Sequence, residues 1–543
     1  MNLTNTQFVF DGKTKRVLIG GMVLGVLCLA LSALNDDEYH TRFWTNFLHN
    51  SVYFTAVAFM SAFFLSAQLA AFAGWLTVIK RIWEGMGQFM LVGLVLIGII
   101  VIGVWGHLHH LYHWNDPNLN ITDPAAPHYD RIIAGKSGFL NPVFFTIATL
   151  GFLGIWYFWA YKMRQNSIAQ DTKETPSFDY YKKERKWAAS FLPIGGFLSA
   201  VFFWQVLMSV DPHWYSTMFA WYSTASAWLG SLALTVLIII YLKSRGYLEF
   251  VTYNHLHDVG KYLFGISVFW TYLWFDQFML IWYANNGEET IYFKERMNNY
   301  PVLFWGNLLM NFVAPFFILM RNDTKRKFGT MFFVALIVFF GHWWDYFYMI
   351  KPGARIAAAE AKELAEGSQH KMGQNTSERH TPGAITTALA KTGGDQAEGD
   401  HAQQPVAGKP AEAPAGEQPA AGQAKPQEGA RDAEQPGAGE HSATPSEEAA
   451  PAEHGGGETH AESGEGHGES HAEGPGSFKL GFSIPGLEEI GVMLGFLSLF
   501  LFFFFGQLER ASLVPLKDPY LEESLHHDTG AYIESEGDDN GHH

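Results

Sequence analysis

The chain has 543 residues, and all of its 45 Phe, 18 Trp and 22 Tyr lie outside residues 351–477. That segment carries a net charge of −12 and the tail from Ala511 one of −7, so the rest of the chain is near neutral at +2 although the whole is −17; a nucleic-acid partner is excluded on that balance. The single cysteine, Cys28, excludes an intramolecular disulfide, a Cys-ligated iron–sulfur cluster and a C-x-x-C-H haem attachment. Redox chemistry near this chain must therefore belong to a quinone or to another subunit.

Stretches apolar enough to cross about 30 Å of hydrocarbon are predicted near 17–35, 51–76, 84–106, 139–161, 188–209, 216–242, 259–284, 300–320, 328–349 and 485–507. The first lacks a small-residue cleavage site and reads as a retained helix. With the N-terminus inside, the inner segments carry 21 Lys and Arg against 5 in the short outer loops, and none falls within a span. That asymmetry places both termini in the cytoplasm. Trp and Tyr crowd the boundaries, as in WYFWAY, HWYSTMFAWY and WWDYFY, which suits interfacial belts. The expected fold class is an all-α integral membrane protein of about ten transmembrane helices.

The domain reading is helices one to nine in 1–350, an insert over 351–477, the tenth helix in 478–510 and an acidic cytoplasmic tail over 511–543. The insert is Ala/Gly/Glu/Pro/Gln-rich and expected to be disordered and outside. ARIAAAEAKELAEG at its start reads as a brief continuation of helix nine. His454, His460, His467 and His471 read as part of a solvated acidic tether, with metal binding as the alternative.

Ionisable groups inside a bilayer are costly, so each is a functional candidate, with helix–helix bonding as the bland alternative. Glu84 and Gln88 share a face at the inner end of the third span. His107, His109, His110 and His113 cap its outer end; His109 and His113 could hold a metal, but a cluster facing a partner subunit or a quinone headgroup fits their surroundings better, and no metal site is expected. Asp211 and His213 occupy the fifth outer turn, where capping serves equally well. The seventh span is richest. At 100° per residue, Asp258, Tyr262, Tyr272, Asp276 and Tyr283 fall in a stripe about 80° wide. The 18 residues between the two Asp cover about 27 Å. A proton file needs such groups along one face; the alternative is packing tyrosines and a neutral, hydrogen-bonded Asp276. Asn307, Asn311 and Pro315 read as helix bonding at a kink. His342 and Asp345, at i and i+3, read as a proton-release site. Glu488 and Glu489 complement a helix dipole. No histidine pair is expected at mid-membrane on two helices, so no b-type haem is expected.

The run NHLHDVGKYLFGISVFWTYLWFDQFMLIWYANNGEET, with SVDPHWYSTMFAWY before it and NLLMNFVAPFFILMRNDTKR and GHWWDYFYMIKP after it, resembles the ActF-type membrane subunit of alternative complex III, within the NrfD/polysulfide-reductase membrane family. The resemblance spans helices one to ten and omits the acidic insert. It implies a bacterial inner-membrane quinol:cytochrome c oxidoreductase, whose haem and iron–sulfur clusters sit in partner iron–sulfur and multihaem cytochrome c subunits. It further implies a second NrfD-like ten-helix subunit as the stronger quinol site, a menaquinone contact as an open question here, and a role for this chain in proton conduction. Its core would be two four-helix bundles, spans two to five and six to nine, flanked by spans one and ten. LNPVFF at 140–145 and YPVLFWG at 300–306 are a faint echo of that duplication. Asp258 and Lys261 match the family pattern. Asp276 and Gly287 depart from a small hydroxyl residue and a proline, so Asp276 rests on its local chemistry alone. Besides a proton-path subunit, a structural scaffold of the same complex and a stand-alone secondary transporter are the competing readings. Against the last, the halves show no paired Gly/Pro-broken helices.

Overall fold

The computed structural model describes residues 6–126, 128–176, 178–374 and 484–529. Among them the regular structure is helical, with no strand. Ten helices among the described residues are long and apolar enough to cross a bilayer: α1 (Gly12–Leu34), α2 (Thr41–Ala70), α3 (Gly74–Gly106), α4 (Pro142–Asp171), α5 (Phe178–Val210), α6 (Met218–Ser244), α7 (Tyr253–Ala284), α8 (Pro301–Leu319), α9 (Phe328–Gln374) and α10 (Leu487–Leu508). The chain is an all-α multi-pass membrane protein, as lipid demands of any segment whose backbone must satisfy itself. We call the end where α1 starts and α10 finishes proximal, and the opposite end distal.

Two rings of four helices form the core. α2, α3, α4 and α5 close on one another, as do α6, α7, α8 and α9, and the rings meet where α2 packs against α6 and α9. α2, α6 and α9 are buried along most of their length, whereas α1 is largely exposed and held chiefly by α10. There Gly25 and Gly495 face each other so closely that a Cβ on either would strike the other's backbone, the small-residue contact that lets membrane helices approach.

The predicted repeat echo has a structural counterpart. α4 and α8 both begin with a proline, Pro142 and Pro301, and both carry a π turn, at Ile147–Gly151 and Leu309–Val313. Such turns place an extra residue in the helix and leave carbonyls for side chains to meet.

Two boundaries differ from the sequence reading. α2 starts ten residues early, because its first turns carry Thr45, Asn46, His49 and Asn50, polar residues that are buried against protein and not lipid. α9 does not end near 349. It runs to Gln374, with Lys351 and Ala354 buried and Gly353 against Val210 and Asp211 of the α5–α6 turn. The expected insert boundary at 351 therefore falls inside a helix, which also puts Lys351 and Arg355 within it. Residues 375–477, with His454, His460, His467 and His471, lie outside the described residues, as do 530–543. The first part of the acidic tail is docked. Ser524 Oγ donates to the Trp75 carbonyl at 2.6 Å, His255 Nε2 meets the Ser524 carbonyl at 2.9 Å, and Leu513 N donates to Thr6 O at 2.6 Å.

Candidate functional site

The most enclosed titratable pair sits in the α6–α9 ring. Asp345 and His342 of α9 are both fully buried. Asp345 Oδ1 accepts from the Tyr222 hydroxyl of α6 and from Asn307 Nδ2 of α8 at 2.6 Å, and Oδ2 accepts from Trp270 Nε1 of α7 at 3.0 Å. Every helix of the ring thus contributes to one carboxyl group. Hydrogen bonds to a charged acceptor are the strong ones, and among the described residues no Lys or Arg pairs with Asp345. His342 Nδ1 lies 3.9 Å from Asp345 Oδ2 and 3.0 Å from Ser226 Oγ, while its Nε2 is buried and unpartnered. Asn311, in the π turn of α8, donates to Asn307 Oδ1 at 2.6 Å and to Gly341 O at 2.9 Å, an approach that a side chain at Gly341 would block. Asn307 and Asn311 do bond helices, but within this cluster.

At the proximal end, Asp258 of α7 is buried with Oδ2 2.6 Å from His527 Nε2 of the tail and Oδ1 2.5 Å from Lys261 Nζ. Tyr262 pairs with the Gln68 amide of α2 at 3.0 Å. Asp258, Lys261, Tyr262 and Trp75 line a cavity of about 380 Å³, which gives solvent a route to both groups. Asp258 and Trp270, 12 residues apart on α7, are separated by about 18 Å of helix rise; of the buried hydroxyls on these helices, Ser267 Oγ has no partner among the described residues, Ser226 meets His342 Nδ1, and Ser231 pairs with Ser61.

Glu84 lies in a second proximal network, inside the α2–α5 ring. Arg81 Nη1 reaches Glu84 at 2.9 Å and Nη2 reaches Asp171 at 2.6 Å; Lys80 bridges Glu184 at 2.7 Å and Asp518 of the tail at 3.1 Å. Arg164 stands 3.9 Å from Glu84. Lys80, Arg81 and Arg164 lie outside the spans predicted at 84–106 and 139–161, as expected, yet they belong to the helices. The helices run past the apolar stretch, and the cations are buried in ion pairs.

At the distal end, Asp211 lies 3.9 Å from Arg296 Nη1, and burial pushes its carboxyl up. His213 Nε2 meets Asp130 Oδ2 at 2.6 Å, and that bond raises His213 above the ordinary imidazole value. Burial works to raise Asp130, but the His213 bond and two backbone N–H donors hold it down at about 2. His113 faces His213 and Glu360 of α9, and burial lowers it to about 4.

Several expectations need correction. The α7 stripe is not one inward-facing file. Tyr272 is 58% exposed and Tyr283 84%, and Asp276 is half-exposed. The buried face of α7 carries Leu263, Ser267, Trp270, Trp274, Gln277 and Ile281, centred about 140° from the stripe at 100° per residue. The four-histidine cluster is dispersed. His107 ends α3 in a left-handed conformation, His109 bonds the Ile100 carbonyl at 3.2 Å, His110 bonds Asp116 at 3.0 Å, and His113 faces Glu360 at 3.5 Å. Besides His342, His49 of α2 is fully buried, with Nε2 2.8 Å from the Trp343 carbonyl, a residue that sequence reasoning did not single out. Glu489 does more than complement a dipole. It takes Arg42 Nε at 2.7 Å and Gly486 N at 2.9 Å. Tyr222, Trp270, Arg296 and Glu360 carry no motif that singles them out, because aromatic and helix-forming residues are common in spans.

An apolar cavity of about 1020 Å³ runs between α1, α6, α8, α9 and α10, lined by Leu18, Ile238, Leu309, Phe340 and Leu497, with Lys13 and Arg245 at its proximal end. Neither protein-family models nor curated protein sequences give a match to this chain.

Proposed function

We propose that this chain is the ActF-type membrane subunit of a bacterial alternative complex III, a quinol:cytochrome c oxidoreductase of the inner membrane, with the proximal end cytoplasmic. The observation that carries its membership of a complex is Asp276. An ionisable side chain inside a bilayer is costly unless protein or water covers it. Asp276 stands on the outward stripe of α7, and among the described residues none engages it by hydrogen bond or ion pair. A second NrfD-like ten-helix subunit against Tyr272, Asp276 and Tyr283 would cover it. That favours a subunit over a stand-alone transporter.

Within the complex, the chain holds no redox centre and contributes a proton path. Protons enter from the cytoplasm at Asp258 and Tyr262, pass the buried hydroxyls to His342 and Asp345, and leave past Asp211 and His213. Glu84 marks a parallel cytoplasmic entrance in the other ring. Iron–sulfur and multihaem cytochrome c subunits dock distally, and lipid or a menaquinone tail occupies the groove beside α1. A scaffold role in the same complex is favoured by one feature: both Asp345 oxygens already hold donors, as in a static polar clamp.

The test is the purified complex in proteoliposomes. With Asp258→Asn or Asp345→Asn, the proton-path reading expects lost proton translocation or lost quinol oxidation at unchanged haem content. Unchanged rate and proton-to-electron ratio would leave the scaffold. Recovery of the native chain alone, without haem-bearing partners, would overturn complex membership.

A further inference from the structure

From the distal cluster we infer a binding site for a zinc-class divalent cation, built by His113, His213 and Glu360 and braced by Asp130. The sequence reading expected no metal, since it could see only His109 and His113. Folding separates those two and brings together residues from four places: the turn after α3, the cap of the short helix Arg131–Lys136, the α5–α6 turn and the extension of α9.

Asp130 already accepts three hydrogen bonds. Its Oδ1 accepts from Ile132 N and Ile133 N at 2.8 and 2.9 Å, and its Oδ2 accepts from His213 Nε2–H at 2.6 Å. That bond fixes the tautomer of His213 and turns a lone pair on Nδ1 towards Glu360. A carboxylate behind an imidazole is the usual support of a metal-bound histidine. Three donors then remain open. His213 Nδ1 is 3.7 Å from Glu360 Oε1, and His113 Nδ1 is 3.5 Å from Glu360 Oε2. His113 is only 6% exposed, and its Nδ1 and Glu360 Oε2 are both buried without a hydrogen-bond partner. Two ligands bound at about 2.1 Å in a tetrahedron stand about 3.4 Å apart, so each imidazole is spaced from its own Glu360 oxygen as two ligands of one ion would be. The three residues whose ligand atoms all lie within 4.8 Å of one another are His113, Asp130 and His213; Glu360 meets each imidazole through a different carboxylate oxygen.

The charge agrees. Asp211 is answered by Arg296 and by Lys136, whose ammonium also bonds the Pro212 carbonyl. Asp130 and Glu360 are left with neutral or shared imidazoles. Two nitrogens and a carboxylate suit zinc better than calcium or magnesium, which take oxygen. Such an ion would clip the α5–α6 turn and the loop after α3 to the extension of α9.

The full chain is titrated with Zn²⁺, and with Co²⁺ as the spectroscopic probe, after chelator treatment. The histidines at 454, 460, 467 and 471 are replaced by Ala to remove competing ligands. One tight equivalent is expected, with the visible absorption of tetrahedral Co²⁺. His213→Ala and Glu360→Gln should abolish both, and Asp130→Asn should weaken binding by about 10- to 100-fold. His110→Ala, outside the donor set, should bind as the parent does, which separates ligand loss from misfolding. Absence of a tight site in the parent, or binding untouched in correctly folded Glu360→Gln, would overturn the assignment.

Discussion

His527 Nε2 lies 2.6 Å from Asp258 Oδ2 although 269 residues separate them. The acidic tail thus closes over the carboxyl group at the proximal cavity, held also by Arg326 on Thr529 at 2.7 Å. A hydrogen bond with a charged partner contributes about 1.5–3 kcal/mol, less where water competes. A double-mutant cycle of Asp258→Asn and His527→Ala, read by thermal unfolding in detergent, should give a coupling of about 1–2 kcal/mol. Additive losses would mean that the tail does not rest on Asp258.

Gly25 and Gly495 make the contact on which the seat of α1 depends. A larger residue must push the helices apart, and α1 has little else to hold it. Cys28, the sole cysteine, is the natural reporter, because its Sγ packs against Gly491 of α10. Gly25→Leu should speed maleimide labelling of Cys28 at least about tenfold, as expected when a contact of about 1.4 kcal/mol or more is lost. Equal labelling rates would show that α1 does not depend on the glycine pair.

The ten helices were legible because lipid leaves a spanning chain few options and hydropathy reports it directly. The paired prolines at 142 and 301 were legible as a faint repeat, and both proved to open helices with π turns. The start of α2 was hidden because His49 and Asn50 look like loop residues, yet they pack against Trp343, whose indole donates to Asn50 Oδ1 at 2.9 Å. The continuation of α9 through ARIAAAEAKELAEG was legible because Ala, Glu and Lys are strong helix formers, but its reach to Gln374 was not, since the same composition suits a solvated tether. Helical periodicity grouped the α7 stripe correctly and gave the wrong direction. The stripe was read as facing in, whereas the inward face carries Trp270, whose N–H donates to Asp345. His113, His213, Asp130 and Glu360 are too far apart in sequence for any spacing rule to join them.

Lys80 is fully buried between Glu184 and Asp518. Removing one partner of such a group leaves uncompensated buried charge, which costs about 3–5 kcal/mol, whereas replacing the set by apolar residues is often neutral. Lys80→Met should therefore lower thermal stability sharply and release the tail, read as faster proteolysis after residue 511. Adding Glu184→Leu and Asp518→Leu should recover much of the loss. A mild effect of Lys80→Met alone would mean that water reaches the network.

Asp345 offers a comparison between losing an acceptor and keeping its shape. Asp345→Ala leaves the Tyr222 hydroxyl and the Trp270 N–H without an acceptor and the Asn307 amide with only the Tyr222 hydroxyl at 3.3 Å, and each buried orphan costs about 1–3 kcal/mol. The variant should lose several kcal/mol and fail to accumulate. Asp345→Asn keeps one carbonyl oxygen and the volume, so it should fold with a smaller loss, and Trp270→Phe should cost about 1 kcal/mol beyond any packing change. The order Ala, then Asn, then Trp270→Phe follows from the number of donors orphaned, whether or not the carboxyl group carries protons. Thermal unfolding of the three variants checks it, and an Asn variant as unstable as Ala would mean that the charge, and not the donor geometry, holds the four helices together.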